Sequence, residues 1–141
     1  MTQKTIHIIG GGVAGLGLAW RLALRGIKSV VYDKGAMGRG ASWAAAGMLA
    51  AVIEAEPGED ALIPFVLKSQ SMWREFAKEL NAYTGHDIGY RETGTLFIAP
   101  ERDDEGLLKQ RFEYLKNRNL PVEWLDKSDL RKREPFLSPR V

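Results

Sequence analysis

Four glycines fall within six positions, Gly10-Gly11-Gly12-Val13-Ala14-Gly15, behind a short apolar run and ahead of a stretch rich in leucine and alanine. Backbone stripped of side chains at a strand-to-helix turn suits one chemistry above others, the binding of a dinucleotide pyrophosphate. Gly10 lets the chain turn tightly, Gly12 lets backbone approach the phosphates with no Cβ in the way, and Gly15 lets the helix pack closely on the strand. The helix start adds free N–H groups and positive dipole potential. The pattern continues past the turn. Ala19 is small four places after Gly15, Gly26 closes the helix, and Asp33 stands eighteen places after Gly15, near the roughly 20 expected of an acid that bonds a ribose. A glycine turn that merely packed a helix on a sheet would require neither Ala19 nor Asp33. The spacing predicts a dinucleotide site and leaves FAD and NAD both open. Lys34 beside Asp33 decides little, because a lone lysine next to an acid serves equally well as solvated surface.

A second stretch, Gly38-Arg39-Gly40-Ala41-Ser42-Trp43-Ala44-Ala45-Ala46-Gly47-Met48-Leu49, leads two loop glycines into a run of small residues, with Ser42 where a helix N-cap would be. Periodicity is equally served by a capped helix packed through its alanines. Beside the first motif, a second helix start of small residues can meet the same pyrophosphate, while Gly47 and Met48 admit a flat ring system.

What is absent narrows the chemistry further. The chain has no cysteine and only two histidines, so disulfides, thiolate metal sites and thiol nucleophiles are excluded, and catalysis falls to other side chains or a bound cofactor. His86 has no partner in the pattern and reads as a loop histidine; no catalytic residue and no metal site is predicted. Formal charge is +2 over 141 residues, too balanced to argue for nucleic acid or a membrane surface. The distribution says more, since residues 1–53 hold six Lys or Arg and a single acid, Asp33, whereas residues 54–100 hold four basic and eight acidic side chains. The glycine-rich end is the one that welcomes an anion. Lys4 and the apolar run behind it do not make a secretory signal, because His7 and the glycines interrupt the run, and no stretch reaches the roughly 20 apolar residues of a membrane span. A soluble, cytoplasmic protein is expected.

The elements that must position these residues begin with a βαβ unit. Residues 5–9 suit a buried parallel strand, residues 13–25 a helix carrying Leu18, Leu22 and Leu24, and residues 29–32 a second strand with Asp33 at its carboxyl end. Arg21, Arg25 and Lys28 fall on or just past that helix, toward solvent. Further on, Leu62, Phe65, Val66, Trp73, Phe76, Leu80 and Tyr83 recur at helical spacing over residues 60–83, with Asp60 as cap, Pro64 in the first turn and the aromatic stripe facing a core. Residues 90–91 and 95–99 read as a strand pair around Gly94, residues 103–118 as a helix, and residues 122–125 as a strand. A short basic helix capped by Ser128 then stops before Pro135, its Arg131-Lys132-Arg133 run a solvated end. The fold class is α/β, a Rossmann-like βαβ unit followed by the start of an α+β region. The parallel sheet looks unfinished, so truncation is expected.

The motifs GGGVAG and ASWAAAGMLA, with the acid at the end of the second strand, resemble the N-terminal part of FAD-dependent amino-acid oxidases of the D-amino-acid oxidase superfamily, most closely its glycine oxidases of thiamine biosynthesis. The similarity runs on through residues 60–83, Tyr90-Arg91-Glu92-Thr93-Gly94-Thr95-Leu96-Phe97 and Glu134-Pro135. The resemblance implies noncovalent FAD, with Val13 and Ala14 at the adenine-side turn, Asp33 and Lys34 at the ribose, Ala41 and Ser42 at the pyrophosphate, and Ala46, Gly47 and Met48 toward the isoalloxazine. It implies residues 1–85 as part of a cofactor domain and residues 86–141 as the beginning of a substrate domain. It implies a small amine substrate and oxygen as partners, with self-association left open. The reaction implied for the complete protein oxidises glycine to glyoxylate, ammonia and hydrogen peroxide. Oxidation of sarcosine, a D-amino acid or a modified tRNA base on the same fold is the alternative, a nicotinamide-dependent dehydrogenase a more distant one, and an inert fragment or simple nucleotide-binding module one of another class. Two positions depart from the family pattern. Asp33 stands where glutamate is commoner, and Trp43 where the family has something smaller.

Overall fold

A computed structural model describes residues 4–138, with the Arg102 side chain left aside. The chain divides into two compact units, residues 1–48 and residues 49–141.

In the first unit, β1 (Ile6–Ile9), α1 (Val13–Leu24) and β2 (Ser29–Tyr32) form the expected βαβ. The strands pair in parallel with Ile6 opposite Ser29 and Ile9 opposite Tyr32, and the ladder is carried one step further by Gly10 N–H donating to the Tyr32 carbonyl at 2.7 Å. Gly26 closes α1 in the left-handed region, φ 69°, where a residue without Cβ is at no disadvantage. Parallel strands normally carry apolar cover on both faces, yet among the described residues Ile8 is the one buried position of the ladder, and Ile9 is 93% exposed.

The alanine-rich stretch departs from its expected form. Helix α2 (Ala41–Ala44) is a single turn, and Ala45, at ψ 139°, is already extended. Its N-cap is Gly40, not Ser42. Small residues without a long apolar face give a helix little to hold on to, so the turn persists only where it is tied down from outside.

The second unit contains α3 (Ile63–Thr84), α4 (Arg102–Lys116) and α5 (Lys127–Arg133). Helix α3 starts after Leu62, with Pro64 in its first turn and Gly85 as C-cap at φ 69°. Asp60 does not cap it; its carboxylate pairs instead with Arg118, whose guanidinium lies 3.5 Å over the Tyr114 ring. Helix α5 is capped by Asp126, which accepts from Asp129 N–H at 2.9 Å, so the capping role predicted for Ser128 belongs two residues earlier. Both Asp126 and Ser128 have capping side chains, and the residue whose backbone is still extended takes the role. The basic run at the end of α5 is held by neighbours, Lys132 on Asp129 and Arg133 on Glu123.

The core of this unit is small, with Ala55, Leu115 and Leu120 buried and Val52, Ile63, Leu67, Tyr114 and Val122 packed against them. Tyr114 and Arg111 reach back to the Glu56 and Ile53 carbonyls. The aromatic stripe of α3 is not core: Ala77 is the one buried residue of that helix, while Phe65 and Tyr83 are exposed. Trp73 packs edge-on against Phe76 and stacks on Tyr90. The strands expected at 90–91, 95–99 and 122–125 do not form ladders among the described residues. β-propensity describes a fit to a pleated surface rather than a backbone preference, and these segments have no paired neighbour there; Thr95 through Ala99 and Val122 through Leu125 line an apolar groove of about 860 Å³ instead.

Candidate functional site: the first turn of helix α1

Everything predicted for phosphate binding converges on the start of α1. Gly10 stands at φ 106°, a conformation that side chains disfavour. A Cβ built at Gly15 would lie 1.9 Å from the Gly10 carbonyl oxygen and 3.3 Å from Ile8 Cγ2, so its role is the close approach of helix to turn and strand foreseen for it. At Gly12 a Cβ would be 3.0 Å from Ser42 Oγ and near nothing else. The outward side of that turn is open.

Asp33 is engaged in a way the sequence did not reveal. Its Oδ2 accepts from Gly11 N–H at 2.7 Å and its Oδ1 from Gly35 N–H at 2.9 Å. The Gly11 bond, then the Gly35 bond, hold the carboxyl below its ordinary value of 3.8, because donors aimed at an ionised carboxylate favour that form. Each oxygen keeps acceptor capacity, since a carboxylate offers about four lone-pair sites. A shallow hollow of about 390 Å³ opens at the carboxyl ends of the two strands, lined by Ile9, Gly10, Tyr32, Asp33 and Lys34. Open parallel sheets take their ligands at that end.

Ser42 joins the two motifs. Val13 N–H, at the first position of α1, donates to Ser42 Oγ at 2.9 Å. The hydroxyl thus caps a helix, but α1 rather than its own. Ser42 is thereby brought against the glycine turn, with Ala41 adjoining it in the chain, and the N–H groups of Ala14 and Gly15 lie in the first turn, where helices leave donors without intrahelical partners. Val13 and Ala14 are exposed at this end. Ala46, Gly47 and Met48 follow outside any helix or strand and are exposed, with Gly47 in the left-handed region at φ 80°; among the described residues no hydrogen bond joins them to the glycine turn.

Sequence reasoning passed over Gly11 and Met37. A Cβ at Gly11 would fall 2.1 Å from Met37 Sδ and 3.3 Å from Asp33 Cβ, and the Gly11 carbonyl accepts from Gly38 N–H at 2.7 Å. The signal was the middle one of three consecutive glycines, at a position the phosphate turn leaves free. The donor set, the open backbone and the hollow fit an adenine dinucleotide. Among the described residues no group of three His, Asp or Glu is placed to hold a metal ion, and no helix is long and apolar enough to cross a membrane.

Comparison with known proteins agrees with this geometry. The chain is 36% identical over 139 residues to glycine oxidase of Geobacillus kaustophilus, covering 98% of this chain and 37% of that protein. It is 32% identical over 131 residues to glycine oxidase of Bacillus subtilis, covering 93% and 34%, and 35% identical over 138 residues to the bifunctional protein ThiO/ThiG of Trichormus variabilis, covering 98% and 20%. The crystal structure of glycine oxidase from Geobacillus kaustophilus superposes with a TM-score of 0.87 at 36% identity, over 94% of this chain and 36% of that one. The chain spans about a third of the length of the glycine oxidases it matches. Residues 5–141 match the family described as FAD dependent oxidoreductase, DAO, and to that family the chain belongs.

Proposed function

We propose that this chain forms the N-terminal part of a flavoprotein amine oxidase and supplies the dinucleotide end of its FAD site, the whole protein oxidising glycine to glyoxylate, ammonia and hydrogen peroxide. The observation that carries the reading is the Val13–Ser42 bond, which draws the glycine turn and the small-residue turn to one helix end. On this reading the first turn of α1 and Ser42 face the pyrophosphate, Asp33 and Lys34 the adenosine ribose, and Ala46, Gly47 and Met48 the ring system. Bound FAD would supply the redox chemistry, taking up the hydride equivalent of the amine and returning the electrons to oxygen. The chain's own residues bind and orient: Asp33 holds Gly11 and Gly35 in place by their N–H groups, and Gly12 leaves room for the phosphates. Glycine as substrate is supported by relatives named glycine oxidase at 32% to 36% identity, and a place in thiamine biosynthesis by the ThiO/ThiG relatives.

We assign residues 1–85 to the cofactor domain and residues 86–141 to the beginning of the substrate domain, although α3 shares its core with α4. Noncovalent attachment is supported by the lack of cysteine, as is a reducing, cytoplasmic setting. The test is titration of the purified chain with FAD, followed by mass spectrometry of the supernatant after denaturation. Recovery of FAD is expected. Recovery of FMN or NADP in its place, or no retention of FAD, overturns the proposal.

A further inference from the structure

Asp33 is the single acid among residues 1–53, and it is engaged by the Gly11 and Gly35 N–H groups, with no ion pair to Arg39. Among the described residues the Arg39 guanidinium makes no ion pair and lies instead 3.8 Å over the centre of the Trp43 ring, an indole that is itself 68% exposed. A guanidinium is flat and weakly hydrated, so it stacks on an aromatic face while its N–H donors stay free around the edge. Stacking also removes rotamer freedom that binding would otherwise have to remove.

Both members of the pair are tied to the first turn of α1. Arg39 follows Gly38, whose N–H donates to the Gly11 carbonyl at 2.7 Å, and Trp43 adjoins Ser42, whose Oγ accepts from Val13. A planar cation with free donors, without an internal counter-ion and stiffened beside a turn built for anions, matches a diphosphate in charge and in hydrogen-bonding geometry.

We propose that Arg39 is a binding residue for the dinucleotide pyrophosphate and that Trp43 is the positioning residue that holds its guanidinium. The proposal rests on the FAD reading above and adds to it a cation and the side chain that orients it.

The experiment titrates the full chain, and its Arg39→Ala, Arg39→Lys, Trp43→Ala and Trp43→Phe variants, with FAD and with ADP at low and at raised salt, alongside thermal unfolding. Arg39→Ala should weaken both ligands about tenfold or more and flatten the salt dependence, with the unfolding midpoint unchanged. Arg39→Lys should keep the salt dependence and lose part of the affinity. Trp43→Ala should cost about threefold with salt dependence retained, and Trp43→Phe should restore most of it. Wild-type affinity and salt slope in Arg39→Ala would make Arg39 a solvent-facing rim charge and overturn the proposal. So would a loss of affinity that tracks a fallen unfolding midpoint and leaves the salt slope intact. Failure of the wild-type chain to bind either ligand would sink the FAD reading itself, and this proposal with it.

Discussion

At Gly15 the structure leaves no room for choice. A methyl group there would sit 1.9 Å from the Gly10 carbonyl oxygen, backbone that is itself pinned by the Gly10 N–H bond to Tyr32. Gly15→Ala should separate α1 from β1, with loss of FAD binding and a lowered unfolding midpoint by circular dichroism. Gly17, two places on, meets nothing within 4 Å, and Gly17→Ala should leave binding unchanged. Asp33 makes a prediction of a different kind. Its pKa is depressed in the folded chain by the Gly11 and Gly35 N–H groups, so its contribution to stability is complete above the ordinary value of 3.8 and is lost as pH falls through the lower, folded value. Amide exchange at Gly11 and Gly35 should therefore remain slowed at pH 3.8, after correction for intrinsic rate, and rise only in stronger acid. Protection that disappears above 3.8 would remove the carboxylate from the turn. That Gly12, Asp33 and Ser42 gather at one turn could be read from their types and spacing; that Asp33 ties down Gly11 and Gly35, and that Ser42 caps α1 and not its own helix, could not. Nor could the engagement of Gly11, Met37 and Trp43, since it depends on which side chains the turn brings within reach.

Among the elements, those with strictly local causes match their prediction. The ladder of β1 and β2, and α1 between them, follow from an apolar run, a glycine turn and Gly26. Helix α3 likewise ends at a glycine in the left-handed region; Gly85→Ala should cost about 1 kcal/mol, read as a shift in the urea midpoint without a change in slope. The start of α5 moved because Asp126 and Ser128 can both cap and Asp126 is the one with extended backbone; α3 starts without a capping side chain, after Leu62, because Asp60 is taken by Arg118. The segments around Thr95 and Val122 were read as strands from their residue types. Their apolar side chains do find a use, lining the groove beside Phe112, but a strand also needs a neighbour to receive its backbone N–H groups. Alternation of residue types carries no information about that neighbour.

On the scale of the molecule, the division at residues 48 and 49 separates the glycine turn from α3, α4 and α5. ADP, which carries the adenosine and pyrophosphate of the cofactor without its ring, should slow hydrogen exchange across residues 10–16 and 33–43 and leave residues 102–133 unchanged. Protection confined to the second unit would place the nucleotide elsewhere. The two units also differ in how far along the chain their bonds reach. Ser42 and Val13 are 29 residues apart, whereas the Arg111–Ile53, Tyr114–Glu56 and Arg118–Asp60 bonds each span 58. Short loops close sooner than long ones. During synthesis, every residue of the glycine turn and its serine clasp is joined to the chain before α3 is made, so this unit can assemble on the nascent chain while the helical unit still waits for Arg118.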